Sequence, residues 1–425
     1  MTAIASPSPP ATLTDSAARE RAFALPLDQI DPSDPHLFEA DTIGHTFERL
    51  RRDAPVHRSH SAMFGDYWSV SSYAHIMQVD TQHAIYSSDW TNGGISIYDA
   101  PIENRLQMFI AMDPPKHDEQ RKAISPIVAP GNLAHMEATI RSRTAAVLDS
   151  LPRNQTFNWV DKVSIELTTQ MLATLFDFPF EDRHLLTRWS DAATAVPGLD
   201  GRYETLAERW EELRKCRTYF TELWNQRVNE SPRSDLISMM AHSPSTRNMD
   251  PKEFLGNLLL LIVGGNDTTR NSMTGGLLAL HQNPGQMAKL RANPALVESL
   301  VPEIIRWQTP LAHMRRTALA DAELGGQAIR KGDKVVMWYL SGNRDQAAIE
   351  AADQFIIDRA RPRQHLSFGF GIHRCVGNRL AEMQIKILWQ EILQRFPVIE
   401  VMGEPVRVLS NFVRGFSQLP VRIPG

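Results

Sequence analysis

The sequence predicts a mainly α fold with a minor β portion. Three long segments repeat apolar residues every three or four positions, as amphipathic helices do: residues 210–228, 252–282 and 378–396. Strand-like runs are shorter and comprise DYWSV (66–70) and ELGGQAIRKGDKVVMWYL (323–340), in which Gly-Gly and Lys-Gly pairs predict turns. We expect one mixed body, because no repeat or internal linker follows residue 25.

Length and composition are those of an ordinary soluble globular protein. The 425 residues are 42% hydrophobic and 22% charged, and the net charge of -4 gives no reason to expect nucleic acid or an anionic membrane as partner. Residues 1–25, rich in Pro, Ser and Ala and without the pattern of a secretion signal, are predicted to be a flexible tail. Residues 26–425 are then predicted to form a single domain.

The expected compartment is the cytoplasm. The longest uncharged apolar run, residues 254–265, is shorter than the about 20 residues that span a bilayer, so no membrane anchor is expected. The chain has two cysteines, which excludes a disulfide framework, and no CxxC or HExxH motif of a structural zinc site.

The loop FGFGIHRCVG (368–377) concentrates glycines around one of these cysteines. Cys375 precedes a predicted helix, whose backbone N–H groups and positive dipole end favour the thiolate. Cys216 lies in an amphipathic helix and is predicted to be a core residue. A plain turn is the alternative, whereas a dinucleotide fingerprint fails because Arg374 stands at the third glycine position.

The pattern Phe368-Gly369-x-Gly371-x-His373-x-Cys375-x-Gly377 resembles the haem-binding loop of cytochrome P450 monooxygenases. This resemblance, which covers about residues 26–425, implies the cytochrome P450 fold, with a long central helix over haem b (iron protoporphyrin IX). It also implies that Cys375 is the axial ligand of the haem iron, with Phe368 and Gly369 beside the haem.

The segment MDPPKHDEQRKAI predicts a helix with Asp113 as its N-cap and Pro114 at the first position. His117 and Arg121 then share one face, which on spacing alone could equally be a solvated charged face. The resemblance implies that both contact the haem propionates, together with Arg316 and His373.

The long predicted helix contains the polar run GGNDTT after residue 263, and glycine inside a helix costs about 1 kcal/mol relative to alanine. On the residues alone, one helix could end at the glycines and another begin with Asp267 as cap. The resemblance instead implies one helix with an oxygen-activating groove, in which Asp267 and Thr268 are catalytic and relay protons.

Glu303 and Arg306 have the i, i+3 spacing of an ion pair, which is often a solvated pair of little energetic value. Their apolar neighbours indicate burial instead. The resemblance implies a structural trio with Arg359 that supports the haem loop.

The runs GGNDTTRNSM, LAHMRRTA and FGFGIHRCVGNRLAE are similar to one bacterial branch, the soluble alkane and fatty-acid terminal (omega) hydroxylases. This implies hydroxylation of an unactivated C–H bond near the end of a medium-length chain, using O2. Electrons would come from NAD(P)H through a ferredoxin reductase and an iron-sulfur ferredoxin. The small apolar substrate would contact Ile97, Ile102, Leu106, Val263, Gly264, Leu311, Ala312 and Phe412.

Three alternatives remain at this point. A P450 of this kind could hydroxylate another apolar substrate, such as a terpene or sterol. A peroxide-driven haem-thiolate enzyme would use a cation in the groove, for which Arg270 is available. A non-catalytic haem sensor would keep Cys375 but would not need Asp267 and Thr268.

Overall fold

The structure is a computed structural model that describes residues 15–425, and its central element is a helix of 32 residues. Within the described residues the α-helices are α1 Asp15–Ala24, α2 Pro35–Glu39, α3 Ile43–Asp53, α4 Tyr73–Thr81, α5 Lys116–Ile124, α6 Pro130–Asp149, α7 Glu166–Phe176, α8 His184–Thr194, α9 Leu206–Arg227, α10 Leu236–His242, α11 Pro251–Gln282, α12 Pro284–Ala292, α13 Val297–Gln308, α14 Tyr339–Gly342 and α15 Asn378–Arg395. The strands are β1 Val56–Ser61, β2 Gly65–Val70, β3 Tyr86–Ser87, β4 Thr156–Asn158, β5 Met314–Ala318, β6 Ala322–Leu324, β7 Gln327–Ile329, β8 Lys334–Met337, β9 Glu400–Val401, β10 Val406–Arg407, β11 Phe416–Gln418 and β12 Pro420–Arg422. The predicted mainly α fold is confirmed.

The central helix α11 runs unbroken through its glycines. It begins at a cap in which the Asp250 carboxylate accepts hydrogen bonds from Lys252 N (2.8 Å) and Glu253 N (3.1 Å). It packs against α7, α8 and α13. A Cβ on Gly265 would lie 2.6 Å from Leu172 Cδ2 of α7, so this glycine permits close packing. The alternative of a break with Asp267 as cap is therefore wrong, because packing outweighs the local cost of the glycines.

The largest sheet among the described residues has five strands in the order β1-β2-β8-β5-β3. β2 pairs with β8 in parallel, and β5 pairs with β8 in antiparallel register, with Arg316 opposite Val335. β6 and β7 form the predicted hairpin, and its turn residues Gly325 and Gly326 have φ of 57° and 75°, which favours glycine. The predicted strand run beyond Met337 is wrong, because the chain turns into the short helix α14.

Two predicted boundaries change. Helix α9 begins four residues earlier than predicted, because Thr205 and Glu208 form a capping box. The tail prediction is wrong for residues 15–24, which form α1 and pack on α3, with Arg19 Nη2 2.8 Å from Glu48 Oε1. Residues 1–14 of that predicted tail lie outside the described residues.

Helix α13 carries a buried charge cluster. Glu303 receives two hydrogen bonds from Arg306, both at 2.7 Å, and one from Arg359 Nε at 2.9 Å. Arg306 also donates to the carbonyls of Asn343 (2.7 Å) and Ala352 (2.7 Å). The trio thus joins α13 to the segment that leads toward residues 366–377, and both partners of Glu303 are buried with it.

We predict that Glu303→Ala lowers the free energy of unfolding by about 3–5 kcal/mol, because two buried guanidinium groups lose their carboxylate. Denaturant unfolding followed by circular dichroism measures the change. The control is Glu298→Ala on the same helix, whose side chain is 63% exposed and pairs with Lys386. That substitution is expected to cost less than about 1 kcal/mol. Equal losses in the two variants would contradict the role of the buried trio.

Candidate functional site

A cavity of about 1210 Å³ lies under the middle of α11. Its walls come from the segment between β3 and α5, from α11, from the connection between α8 and α9, from the loop before α15 and from residues 409–412. Most lining side chains are apolar, and polar ones lie at several places, including the loop before α15, the α8–α9 connection and the segment between β3 and α5. The cavity therefore suits an apolar ligand with polar groups at particular places.

Cys375 faces this cavity from the loop before α15, whereas Cys216 is buried in the helical core. The backbone N–H of Cys375 donates to Phe368 O at 2.8 Å, which closes the loop. Burial raises the pKa of the Cys375 thiol, although backbone N–H groups of Gly377 and Asn378 and the charge of Arg121 oppose the increase. The local N–H groups thus act toward the thiolate, as the sequence analysis expects, while burial acts in the opposite direction.

The buried carboxylate of Asp80 on α4 anchors this loop. It accepts hydrogen bonds from Phe370 N (2.7 Å), Tyr339 Oη (3.1 Å) and Arg316 Nη2 (2.9 Å). Gly371 has φ of 64°, and a Cβ there would lie 2.5 Å from Asp80 O. Burial raises the pKa of Asp80, and the charge of Arg316 opposes it. No sequence motif indicated Asp80, and its partners are far away in the chain.

Two imidazoles and an arginine meet beside the loop. The rings of His117 and His373 have centroids 4.4 Å apart, and both residues line the cavity with Arg121. His117 Nδ1 donates to Asp118 Oδ1 (2.7 Å), and His373 Nε2 lies 2.8 Å from Ser88 Oγ. The other ring nitrogens, His117 Nε2 and His373 Nδ1, are buried without a hydrogen-bond partner in the described part of the chain. Burial lowers the pKa of both residues, that of His373 to about 2.

The predicted N-cap of this helix is wrong. α5 begins at Lys116, and the Asp113 carboxylate instead accepts from Ser87 Oγ (2.5 Å) and Ser88 N (3.2 Å). The reason is that Pro115 lacks the N–H that an N-cap at Asp113 would bind. His117 and Arg121 nevertheless lie one turn apart in the helix, as predicted.

The two predicted relay residues on α11 point in different directions. Thr268 lines the cavity, and its hydroxyl donates to Gly264 O at 2.7 Å. Asp267 is fully buried away from the cavity lining, with Oδ1 2.8 Å from Arg270 Nη2 and Oδ2 without a hydrogen-bond partner among the described residues. Burial raises the pKa of Asp267, and Arg270 opposes the increase. Arg270 also donates to Asp191 Oδ1 at 2.8 Å, so it bridges α11 to α8.

Six of the eight predicted pocket residues line the cavity: Ile97, Leu106, Val263, Gly264, Leu311 and Phe412. Two predictions are wrong. Ile102 is 54% exposed on a surface turn, outside the cavity lining. Ala312 is fully buried in a separate hydrophobic cluster with Trp338, because neighbouring residues of an extended segment face opposite ways.

The sequence analysis missed the α8–α9 connection, which contributes residues 193–199, Glu204, Leu206, Arg209 and Trp210 to the cavity wall. The available signal was the Pro-Gly turn at residues 197–198 between two amphipathic helices, which marks a loop but does not indicate what it covers.

A cavity with one cysteine, unpartnered imidazole nitrogens and arginines around an apolar space has the groups that a haem-thiolate protein needs, a sulfur for iron and hydrogen-bonding cationic groups for propionates. A family model for cytochrome P450 matches residues 43–423. The chain belongs to the cytochrome P450 family and is a monooxygenase of that family, which implies haem, O2 and electrons from a reductant.

Relatives cover nearly the same length. CYP153D17 from Sphingomonas sp. PAMC 26605 has a solved structure with a TM-score of 0.88 and 51% identity, covering 93% of this chain and 99% of that one. Linalool 8-monooxygenase of Pseudomonas putida is 34% identical over 93% of this chain and 99% of its own length. A methyl-branched lipid omega-hydroxylase of Mycobacterium tuberculosis is 30% identical over 88% and 90%. None of the helices in the described range has the length and hydropathy needed to cross a bilayer.

Proposed function

We propose that this cytochrome P450 hydroxylates the terminal carbon of medium-chain alkanes or fatty acids. The observation that carries the proposal is that Cys375 and Thr268 face one cavity whose other walls are mainly apolar. The segments that resemble terminal hydroxylases and the similarity to a lipid omega-hydroxylase support the same substrate class. The proposed electron donors are an iron-sulfur ferredoxin and its NAD(P)H-dependent reductase, acting in the cytoplasm.

The proposed cofactor is haem b, with Cys375 as the iron ligand. The residues suited to its propionates are His117, His373, Arg121 and Arg316, since the first two have unpartnered buried nitrogens and all four line the cavity. Phe368 and Gly369 form the adjoining wall. When bound, the haem supplies the activation of O2 by which one oxygen atom enters a C–H bond and the other leaves as water.

The protein's own groups then have three tasks. The apolar walls exclude water and orient the chain. The Thr268 hydroxyl, which donates to Gly264 O, has acceptor positions for a proton donor and can rotate to pass its own proton into the cavity. Asp267 occupies the preceding position on α11, and its Oδ2, which has no hydrogen-bond partner among the described residues, is the atom at which it would take up a proton.

A second candidate function is hydroxylation of a terpene, which the similarity to linalool 8-monooxygenase favours. The peroxide-driven alternative is weakened because Arg270 is paired with Asp267 and Asp191 and is absent from the cavity lining. The presence of Thr268 in the groove speaks against a non-catalytic haem sensor.

The proposed role of Cys375 as the iron ligand is tested by absorption spectroscopy. In the native protein, the reduced carbon monoxide adduct should show the red-shifted Soret band of thiolate ligation, and Cys375→Ala should abolish it because Cys216, the other cysteine of the sequence, does not line the cavity. Cys216→Ala is the control and should retain the band, since that thiol is buried elsewhere. Loss of the band only in the Cys216 variant would exclude Cys375 as ligand.

Thr268→Ala should bind substrate normally but release most of the reducing equivalents as hydrogen peroxide, because proton delivery into the groove is impaired. The measurement is the ratio of product and peroxide to NAD(P)H consumed with saturating redox partners. Thr268→Ser keeps the hydroxyl and should remain within about twofold of the native coupling. If Thr268→Ala couples as well as the native enzyme, the relay role is excluded.

Terminal selectivity is tested by gas chromatography of products from dodecane and dodecanoate. A primary C–H bond is stronger than a secondary one, so a predominantly terminal product requires a channel that presents only the methyl end. Leu311→Ala should shift products toward internal alcohols, whereas Leu319→Ala, outside the lining, should not. Mainly internal alcohols from the native enzyme would refute the proposal, and preferential turnover of a terpene would favour the second candidate.

A further inference from the structure

Arg209 is a charged group in the cavity wall that the proposed chemistry does not use. It lies in the first turn of α9 and lines the cavity with Leu206 and Trp210, in the same wall as the α8–α9 connection. An arginine is not needed to enclose a hydrocarbon chain, and burying its charge is unfavourable unless it is paired.

The hydrogen-bond partners of Arg209 are two backbone carbonyls, and its guanidinium carbon also lies 5.7 Å from the centre of the Trp210 ring. Nε donates to Ala192 O at 2.7 Å and Nη2 donates to Ala193 O at 2.8 Å, at the end of α8. A guanidinium has five N–H donors, so three stay without a hydrogen-bond partner in the described part of the chain. Burial lowers the pKa of Arg209, and the positive charge of Arg202 adds to the effect.

Two arginines near the α8–α9 connection are instead paired with carboxylates, whereas Arg105 of the cavity wall also donates only to backbone carbonyls. Arg188 lies 2.6 Å from Glu212 Oε2, and Arg202 lies 2.6 Å from Asp200 Oδ2. Asp200 is one of the acidic groups that act on Arg209 through space, but its carboxylate is already bonded to Arg202. Among the described residues, no carboxylate forms an ion pair with Arg209.

The geometry points to Arg209 as the binding site for the carboxylate of the substrate, which makes medium-chain fatty acids the preferred substrate class. A planar guanidinium with unused N–H groups matches a carboxylate in a paired, charge-assisted hydrogen bond. A fatty acid held there would extend along apolar residues such as Leu106 and Val263, which line the same cavity as Cys375. Holding the head group places the methyl end at the reacting centre, which the shape of an apolar channel alone does not ensure. This inference rests on the proposed function and specifies its substrate.

The holoenzyme is titrated with dodecanoate, methyl dodecanoate and dodecane, and substrate-induced changes of the haem spectrum give the dissociation constants. Arg209→Gln should weaken dodecanoate binding about tenfold to a hundredfold, as expected for loss of a charge-assisted pair, and change binding of the two neutral ligands less than about threefold. Arg209→Lys should restore part of the preference for the acid. Arg188→Gln, whose arginine is paired outside the cavity, is the control and should bind all three ligands as the native enzyme does.

Five results would overturn the assignment. An equal loss for all three ligands means that Arg209 only caps α8. Unchanged binding of dodecanoate in Arg209→Gln means that it is not an anchor, and loss of acid preference in Arg105→Gln alone transfers the role to that second arginine of the cavity wall. Native enzyme that binds none of the ligands refutes this inference and the proposed function together. Native enzyme that makes terminal alcohols from dodecane while binding the acid no better refutes only the carboxylate site.

Discussion

Pairing of buried charge is the constraint on which this structure depends. A charged group taken out of water without a partner costs several kcal/mol, so each ion near the cavity must be compensated. Two such clusters link distant segments: Asp80 with Arg316, and Glu303 with Arg306 and Arg359. A third, Asp267 with Arg270, lies within α11 and reaches α8 through the contact of Arg270 with Asp191. In the first two, hydrogen bonds also fix the position of a backbone segment, and Asp80 holds Phe370 N of the cysteine loop directly. The charges that stabilise the fold are therefore those that position the site.

The central helix meets a second constraint, since it must both pack tightly and leave an open face. Gly265 allows the approach of Leu172, whereas a Cβ on Gly264 would meet nothing within 4 Å. The same pair of glycines thus serves packing on one side and the cavity on the other. Asn266 and Thr274 make buried polar contacts to Thr168 (2.9 Å) and Ser164 (2.8 Å), which secure the helix beyond this interruption. A segment with poor helix propensity remains helical because tertiary contacts determine it.

The sequence predicted what is encoded locally or in a fixed spacing. Helix periodicity located α11 and α15, and the glycine and cysteine spacing located the loop that faces the cavity. The direction of individual side chains was less accessible, as Asp267 and Thr268 show: adjacent residues of a helix point about 100° apart, so only one of them faces the groove. The prediction that Ala312 lines the cavity was wrong for a similar reason, because side chains of successive residues in an extended segment point to opposite faces. Asp80 could not be predicted at all, since its partner Arg316 lies 236 residues away and neither belongs to a local pattern that links them.

The polar groups left over after internal pairing indicate how the cavity is divided. Near the cysteine loop, the unpartnered atoms are imidazole nitrogens of His117 and His373, beside Arg121. In the wall formed by the α8–α9 connection, Arg209 is a guanidinium that forms no ion pair with a carboxylate of the described residues. Folding alone does not account for either set, because hydrophobic side chains of similar volume would fill these positions at lower electrostatic cost. The groups near the cysteine loop and Arg209 are all cationic or hydrogen-bonding, and they line one mainly apolar space. Anionic groups would satisfy them, those of a cofactor near the cysteine loop and that of a substrate at Arg209. The cavity is then suited to a large cofactor with acidic groups on one side and to an amphipathic substrate on the other, and the apolar walls between them determine which carbon of the substrate is presented.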